Sequence, residues 1–361
     1  MDSKPNSLNY KHKCITTLKN PTHLQIISCL AIHKSFLYAA SINQINVFDL
    51  SNYSHINTFT TNDPTSGSIK SIAFHNSKIF TAHQDFKIRV WQISLSHPSN
   101  QPHLLSTLPT VKDRLRHFML PKNYITVRRH KKRLWIQHCD TVSGLALHGG
   151  FMYSVSWDKS FKLWNVETNR CLESVKAHHD AVNTVAVSGN GTVYTGSADG
   201  SIRVWERFGK ERRHRMVDVL EKHKSTVNAL VLNGDGSVLF SGGCDRSIVV
   251  WERKRGGAAD DDVDRMVFAE VLWGHGGAVL CLMNVHDMLV SGSSDRTVRI
   301  WQRGGDNGYC CTVVMEGHEK AVKSLVAVNK SGCNRNNRKI SCLSICSGSL
   351  DGEIKVWEIS N

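Results

Sequence analysis

Short apolar runs recur along this chain between polar clusters, and within the runs inward and outward positions alternate. The stretch LVSGSSDRTVRIWQ, from Leu289 to Gln302, displays the unit. Leu289 and Val290 are apolar and SGSSDR is a turn cluster. Val298, Ile300 and Gln302 then alternate with Thr297, Arg299 and Trp301, the two-residue period of a pleated strand. The pattern predicts a hairpin with Asp295 in its turn. Upstream of such hairpins lie apolar runs (AVLCLMNV, TVNALVL, AVNTVAV) that read as a further buried strand, and downstream a shorter one such as CLESVKA. Four strands, a to d, make one unit.

The unit repeats with fixed spacing. Six of the nine tryptophans end a pattern of Ser or Thr, then Asp four residues later, then Trp six residues after that. These sets are Thr81/Asp85/Trp91, Ser154/Asp158/Trp164, Thr195/Asp199/Trp205, Ser241/Asp245/Trp251, Ser291/Asp295/Trp301 and Ser347/Asp351/Trp357. A His followed four residues later by Val precedes five of them: His138/Val142, His178/Val182, His223/Val227, His275/Val279 and, across a longer interval, His318/Val322. Such a repeat decides the architecture before any single residue does. A four-stranded unit cannot bury both faces alone, so neighbours must stack.

On these residues the chain resembles the WD-repeat propeller family, whose blades are four-stranded sheets with Gly-His near the start and Trp-Asp at the end. Gly-His is intact at Gly274-His275 and Gly317-His318, while Trp-Asp has drifted to Trp-Gln, Trp-Asn or Trp-Glu. The resemblance implies an all-β, seven-bladed WD-repeat β-propeller. It also implies a buried structural tetrad in five blades, in which Asp accepts from His, His meets the hydroxyl and the hydroxyl meets the indole N–H. The sets are His138, Ser154, Asp158 and Trp164; His178, Thr195, Asp199 and Trp205; His223, Ser241, Asp245 and Trp251; His275, Ser291, Asp295 and Trp301; and His318, Ser347, Asp351 and Trp357.

Two units depart from the rhythm. In the first, His23 and Ile27 match the start, but Ile42 holds the Asp position and Phe48-Asp49 replaces the Trp pair. In the second, Thr65 stands where His is expected. The last unit stops after strand c, and KCITTLKN at 13–20 resembles the strand d RCLESVKA. An N-terminal strand is therefore expected to close the last blade and remove an open sheet edge. Blades are expected at 23–60, 65–110, 138–177, 178–222, 223–274, 275–317 and 318–359 plus 12–19, forming one propeller over 12–361 after a disordered stretch at 1–11.

His, Ser and Asp also make hydrolytic triads. An active site is normally built once, however, and these sets recur at the same spacing, so no enzyme is expected. The adjacent His178-His179 has no second pair at ligand spacing, and GG and GxG fall in hairpin turns rather than in a phosphate loop. No catalytic residue, metal or cofactor is assigned. Eleven Cys without a CxxC, several of them in strands (Cys29, Cys281, Cys342), read as reduced thiols used as small apolar residues. No apolar run reaches the length of about 18 residues that marks a membrane span, and MDSKPNS lacks the order of a signal peptide. A cytoplasmic and/or nuclear protein without a membrane partner is expected.

Charge changes the picture at one place. The formal net charge is +14, and from Lys112 to Arg133 nine Lys or Arg accompany a single acid, Asp113. This segment belongs to an insertion at 111–136 between blades 2 and 3. Strand d of blade 2 is either HLLSTLPT at 103–110 or RLWIQ at 133–137, and the sequence leaves both open. Arg128, Arg129, Lys131, Lys132 and Arg133 fit a nuclear import signal, an acidic protein partner, a phosphate contact without base reading, or a plain solvated loop. Trp157, in the turn before Asp158, and Trp273, before Gly274-His275, are partner-binding candidates on the face carrying the d–a and b–c loops. The stretches 207–216, 252–266 and 331–341 read as solvated connections.

FTAHQDFKIRVW, the insertion, YSVSWDKS, YTGSADGSIRVW and SGGCDRSIVVWER together are similar to plant WD-repeat proteins of the JINGUBANG type, over about residues 23 to 359. That resemblance implies a plant regulator without enzymatic activity, associated with pollen development. The expected function is a protein–protein interaction scaffold or adaptor, monomeric or part of a hetero-complex. Its expected partners are one or more proteins, such as an acidic protein or a transcription regulator; nucleic acid is not expected. Alternatives are a ubiquitin-ligase substrate receptor, whose Trp-Asp-x-Arg pattern Trp251-Glu252-Arg253-Lys254 and Trp205-Glu206-Arg207-Phe208 do not fit, and a phosphate-backbone binder acting through the basic insertion.

Overall fold

The computed structural model describes residues 11–19, 26–61, 63–93, 101–128, 131–208, 213–254, 265–305, 308–335 and 338–360. The proposed disordered stretch, His23 and Arg129 lie outside them, apart from Lys11. Seven antiparallel four-stranded sheets follow one another along the chain and form a seven-bladed β-propeller. Blade 6 is representative: strands a to d are Val279–Val285, Met288–Ser293, Val298–Arg303 and Tyr309–Met315. In blade 7 the strands Val322–Arg335, Arg338–Ser349 and Glu353–Ser360 are joined by Lys11–Lys19 as the fourth, with Lys11 opposite Ser360 and Lys19 opposite Glu353. The N-terminal strand thus closes the ring, and the last blade gains a partner along its edge.

Two features of the repeat explain why blades stack at this separation. In blades 4 to 7 strand b carries a Gly just after its Ser or Thr, and an added Cβ there would strike a branched side chain at the start of the next blade. The distance would be 2.8 Å from Gly196 to Val227, 2.6 Å from Gly242 to Val279 and 2.7 Å from Gly292 to Val322. Gly348 meets Ile27 at 2.5 Å across the closing seam. In blades 4 to 6 the Gly and the Val four residues after the next His therefore act as one steric device, whereas blades 2 and 3 place Ala82 and Val155 at the Gly position.

The residue after that Val stitches the seam. Ser143 Oγ donates to the Val182 carbonyl at 2.5 Å, Asn183 Nδ2 to Val227 at 3.1 Å and Asn228 Nδ2 to Val279 at 3.0 Å. Apolar cores fill the wedges between blades, as where Val290, Val298 and Ile300 of blade 6 meet Val322, Leu325 and Ile345 of blade 7.

In blade 2 strand d is His103–Leu108, paired with strand c Ile88–Gln92 so that Leu108 faces Ile88. The insertion that follows is folded and is not a plain solvated loop. Helix α1, Val111–Phe118, begins at Thr110, whose Oγ1 accepts from the Asp113 amide at 3.1 Å as an N-cap does. A single 3₁₀ turn, Pro121–Asn123, leads into a hairpin of Tyr124–Arg128 and Lys131–Leu134. Leu134 and Ile136 enter the core between blades 2 and 3. The buried Lys162 ammonium of blade 3 donates to the Trp135 carbonyl at 2.5 Å and to Ser174 Oγ at 2.6 Å. The connections read as loops at 207–216 and 331–341 are largely paired strand: Phe208 faces Arg213 in blade 4, and Arg335 faces Arg338 in blade 7. Most of 252–266 lies outside the described residues.

Candidate interaction surface

The polar repeat residues meet inside five of the blades, blades 3 to 7. In blade 6, His275 Nδ1 lies 2.8 Å from Asp295 Oδ2 and its Nε2 2.7 Å from Ser291 Oγ, which accepts from Trp301 Nε1 at 2.8 Å. A proton on Nδ1 satisfies all of these at once, because the serine then donates to Nε2 while accepting from the indole. Asp295 also accepts from the amides of Gly276 and Thr297, each at 2.9 Å. The carboxylate thereby ties the d–a loop to the b–c turn.

The same three links recur in four other blades. His138 is 3.0 Å from Asp158 and 2.8 Å from Ser154, with Trp164 on Ser154 at 2.8 Å. His178 is 3.0 Å from Asp199 and 2.8 Å from Thr195, which accepts from Trp205 at 2.9 Å. His223 is 2.9 Å from Asp245 and 2.8 Å from Ser241, with Trp251 at 3.0 Å. His318 is 3.1 Å from Asp351 and 2.7 Å from Ser347, with Trp357 at 2.8 Å. Burial lowers the pKa of His138, His178, His275 and His318 despite the adjacent carboxylates. Burial pushes Asp199 and Asp295 up, but hydroxyl, amide and imidazole donors outweigh it and hold both at about 2. These are closed networks of imidazole, carboxylate, hydroxyl and indole, with the hydroxyls wholly buried.

Blade 2 solves the same problem with other residues, which the sequence reading missed. Thr81 Oγ1 still accepts from Trp91 Nε1 at 3.0 Å, but the ring beside it, at 2.7 Å, is His83 of its own strand. The d–a loop supplies Asp63 in place of a histidine. Arg89 of strand c bridges it at 3.3 Å to Asp85 at 2.7 Å. Arg89 occupies the position four residues after the repeat Asp, where Lys162, Arg203, Arg299 and Lys355 stand in other blades. That recurring cation is the signal that could have found it. Among the described residues blade 1 shows no such set, and Ile42 at its Asp position is exposed.

Around the propeller axis lies a cavity of about 490 Å³, lined by the first residues of all seven a strands. Trp157 sits at its edge, 40% exposed, with the Lys70 ammonium 5.9 Å from its ring centroid. Lys323 lies in the same wall. Burial, with a smaller push from Lys323, lowers the Lys70 pKa. No carboxylate belongs to the lining. Lys70 and Lys323 also escaped the sequence reading, although each directly follows the first apolar residue of strand a, Ile69 or Val322, where seam and channel residues stand.

The other candidates fall elsewhere. Trp273 is 63% exposed and does not line this cavity. Lys131 and Lys132 are exposed on the insertion hairpin. Arg133 is engaged: its Nη1 donates to the His138 carbonyl at 3.2 Å, and its guanidinium lies 5.2 Å from the Phe86 ring centroid. Arg128 ends a strand of that hairpin. Among the described residues no group of three or more His, Cys, Asp or Glu is placed to hold a metal, and no helix is long and apolar enough to cross a membrane.

A closed ring of seven blades around a channel, pinned by internal polar sets, defines a WD-type propeller. The family model "WD domain, G-beta repeat" matches residues 169–206, 214–252, 267–302 and 309–358, so the chain carries WD repeats, detected on blades 4 to 7. Similar proteins include an uncharacterized WD repeat-containing protein of Schizosaccharomyces pombe, 29% identical over 155 residues, which cover 42% of this chain and 40% of that protein. Striatin-4 of Mus musculus is 28% identical over 48% of this chain and 24% of its own length. The Ribosome biogenesis protein WDR12 homolog of Chlamydomonas reinhardtii is 25% identical over 63% of this chain and 58% of its own length. The chain thus spans less than half of the first two relatives. WD propellers generally act as non-catalytic platforms for binding other proteins.

Proposed function

We propose that this protein is a non-enzymatic scaffold that holds a partner protein over the channel mouth, with Trp157, Lys70 and Lys323 as its contacts. One observation carries the reading. A large aromatic stands half exposed at the rim of a cavity whose only charges are two ammonium groups. The fold does not require it, since other blades place Ala198, Cys244 or Ser294 at the same turn position. An exposed Trp beside two lysine ammonium groups, in a described lining that holds no carboxylate, suits a partner loop that brings an apolar side chain and a carboxylate. The sequence similarity to plant proteins of the JINGUBANG type supports a regulatory role in a plant, connected with pollen, in the cytoplasm or nucleus.

Affinity capture from plant tissue with wild type, Trp157→Ala and Lys70→Glu, each checked for an unchanged melting temperature, tests this. Loss of at least one specific partner from both variants is the expected result. Identical partner sets for all three proteins would sink the reading.

A further inference from the structure

The insertion between blades 2 and 3 presents a second surface with its own chemistry. Helix α1 and the hairpin enclose an open groove of about 450 Å³. Val111, Leu115, Phe118 and Tyr124 make its apolar wall, and Arg114 and Lys132 line it from either side. Val111, Leu115 and Phe118 are 64%, 65% and 61% exposed. A frayed helix would explain such exposure, but this one is anchored. Asn123 Nδ2 donates to the His117 carbonyl at 2.9 Å, the Tyr124 hydroxyl to the Phe118 carbonyl at 3.2 Å, and the buried Asp113 sits 3.7 Å from Arg170 of blade 3. On the helix itself Asp113 and His117 fall on one side at a four-residue spacing, and Val111, Leu115 and Phe118 fall on the other. Large exposed apolar side chains on a fixed scaffold mark a binding surface.

Charge selects the occupant. Asp113, the one acid between Lys112 and Arg133, is a buried helix residue with Arg116 at 3.5 Å, so the described lining of the groove carries cations and no acid. We propose that it is the docking site for a short acidic amphipathic segment of a partner protein. Apolar anchors seat against Leu115 and Phe118, and flanking carboxylates pair with Arg114 and Lys132. This is helix-in-groove or strand-in-groove recognition with a charged rim. A nucleic-acid backbone would pair with the cations but leave the apolar wall wet. A second copy of the insertion would oppose like charges, and a bilayer would meet the rims of a concave surface. The site is separate from the channel mouth and does not rest on that reading.

The test is selection of a random peptide library, of about twelve residues per member, on the intact protein. Enrichment of peptides that combine large apolar residues with net negative charge is the expected result. The affinity of the best labelled peptide should fall at least about tenfold with Leu115→Asp and with Lys132→Glu, weaken with added salt, and be unchanged by Trp157→Ala. Lys132 is exposed, so Lys132→Glu decides the matter if Leu115→Asp unfolds the insertion. Enriched peptides that are neutral or basic, or whose binding ignores both substitutions, would overturn the proposal. Binding of the protein to phosphatidylserine vesicles or to itself through Phe118, with no acidic peptide enriched, would overturn it in favour of those occupants.

Discussion

Blade 6 and blade 2 tie the same three pieces of backbone together with opposite distributions of charge. In blade 6 the d–a loop brings an imidazole to the turn carboxylate, and His275 passes the link on to Ser291 and Trp301. In blade 2 the loop brings a second carboxylate, Asp63, and the two acids are held by Arg89, a strand c residue. The ring on Thr81 is then His83, whose Nδ1 finds no hydrogen-bond partner among the described residues. What the propeller conserves is the connection between loop, turn and strand c; the residue types that make it are interchangeable. Blade 1 shows how much packing can contribute beside any such link: Leu37, Ala39 and Phe48 lie in one wedge core and Tyr38, Ala40 and Val47 in the other.

The largest effect should come from breaking the borrowed link. Arg89→Leu leaves Asp85 and Asp63 facing each other, and stability should fall by about 3 kcal/mol, the low end for stripping one member of a buried ion pair, because Lys87 still lies 3.5 Å from Asp85. Denaturant unfolding of the variant measures this. A loss no greater than that of an exposed ion pair would show that the guanidinium is not the latch of blade 2.

Asp295→Ala removes the common acceptor of blade 6 and should cost about 1–3 kcal/mol, as when a buried polar group loses its partner. The single substitution should be milder than Arg89→Leu, since it strands an imidazole and two amides, whereas the other leaves the nearly buried Asp85 carboxylate without its guanidinium. Equal melting temperatures for wild type and Asp295→Ala would count against any stabilising role for the set.

Much of this fold could be read in the chain because the repeat is physical. Ser or Thr, Asp and Trp can keep one spacing, with His and Val ahead of them, only if every unit is built from the same strands, so that spacing announces stacked blades. The match between KCITTLKN and a strand d likewise announced how the ring closes. Blade 2 was opaque for a complementary reason: His83 and Asp63 belong to no repeated position, and Arg89 has meaning only once Thr65 has removed the histidine. Helix α1 was hidden by its composition, since a short helix rich in Lys and Arg reads as a charge run unless the capping pair Thr110 and Asp113 is noticed. Lys70 and Lys323 were hidden because the channel draws a short segment from each of seven blades, and no sequence window contains both cations.

Acid separates the two blades next. Burial, then the adjacent Arg89, pushes His83 down to about 3, while the carboxylate beside His275 opposes burial there. A pKa lower in the folded protein means that the unfolded chain takes up the proton first. The contribution of His83 is then complete above its ordinary value near 6.5 and is lost as pH falls toward about 3. His83→Gln should flatten the decline in stability between pH 7 and pH 5 more than His275→Gln does, as read from denaturation midpoints at each pH. Parallel slopes in wild type and His83→Gln would contradict the assignment.

The smallest effect is expected in blade 1, and it bears most directly on whether the polar set is needed everywhere. Ile42 occupies the repeat Asp position but is 45% exposed, and its backbone carbonyl accepts from the Ile69 amide at 3.1 Å, so the turn is held without a carboxylate. Ile42→Asp restores the family residue where no imidazole is described to receive it. The change should stay within about 0.5 kcal/mol, as for an exposed substitution away from packing and caps. A gain of more than about 1 kcal/mol would mean that the new carboxylate recruits a donor from the d–a loop, the scale of a net hydrogen bond to a charged group. Blade 1 would then be an incomplete version of blade 6, and packing alone would no longer account for its stability.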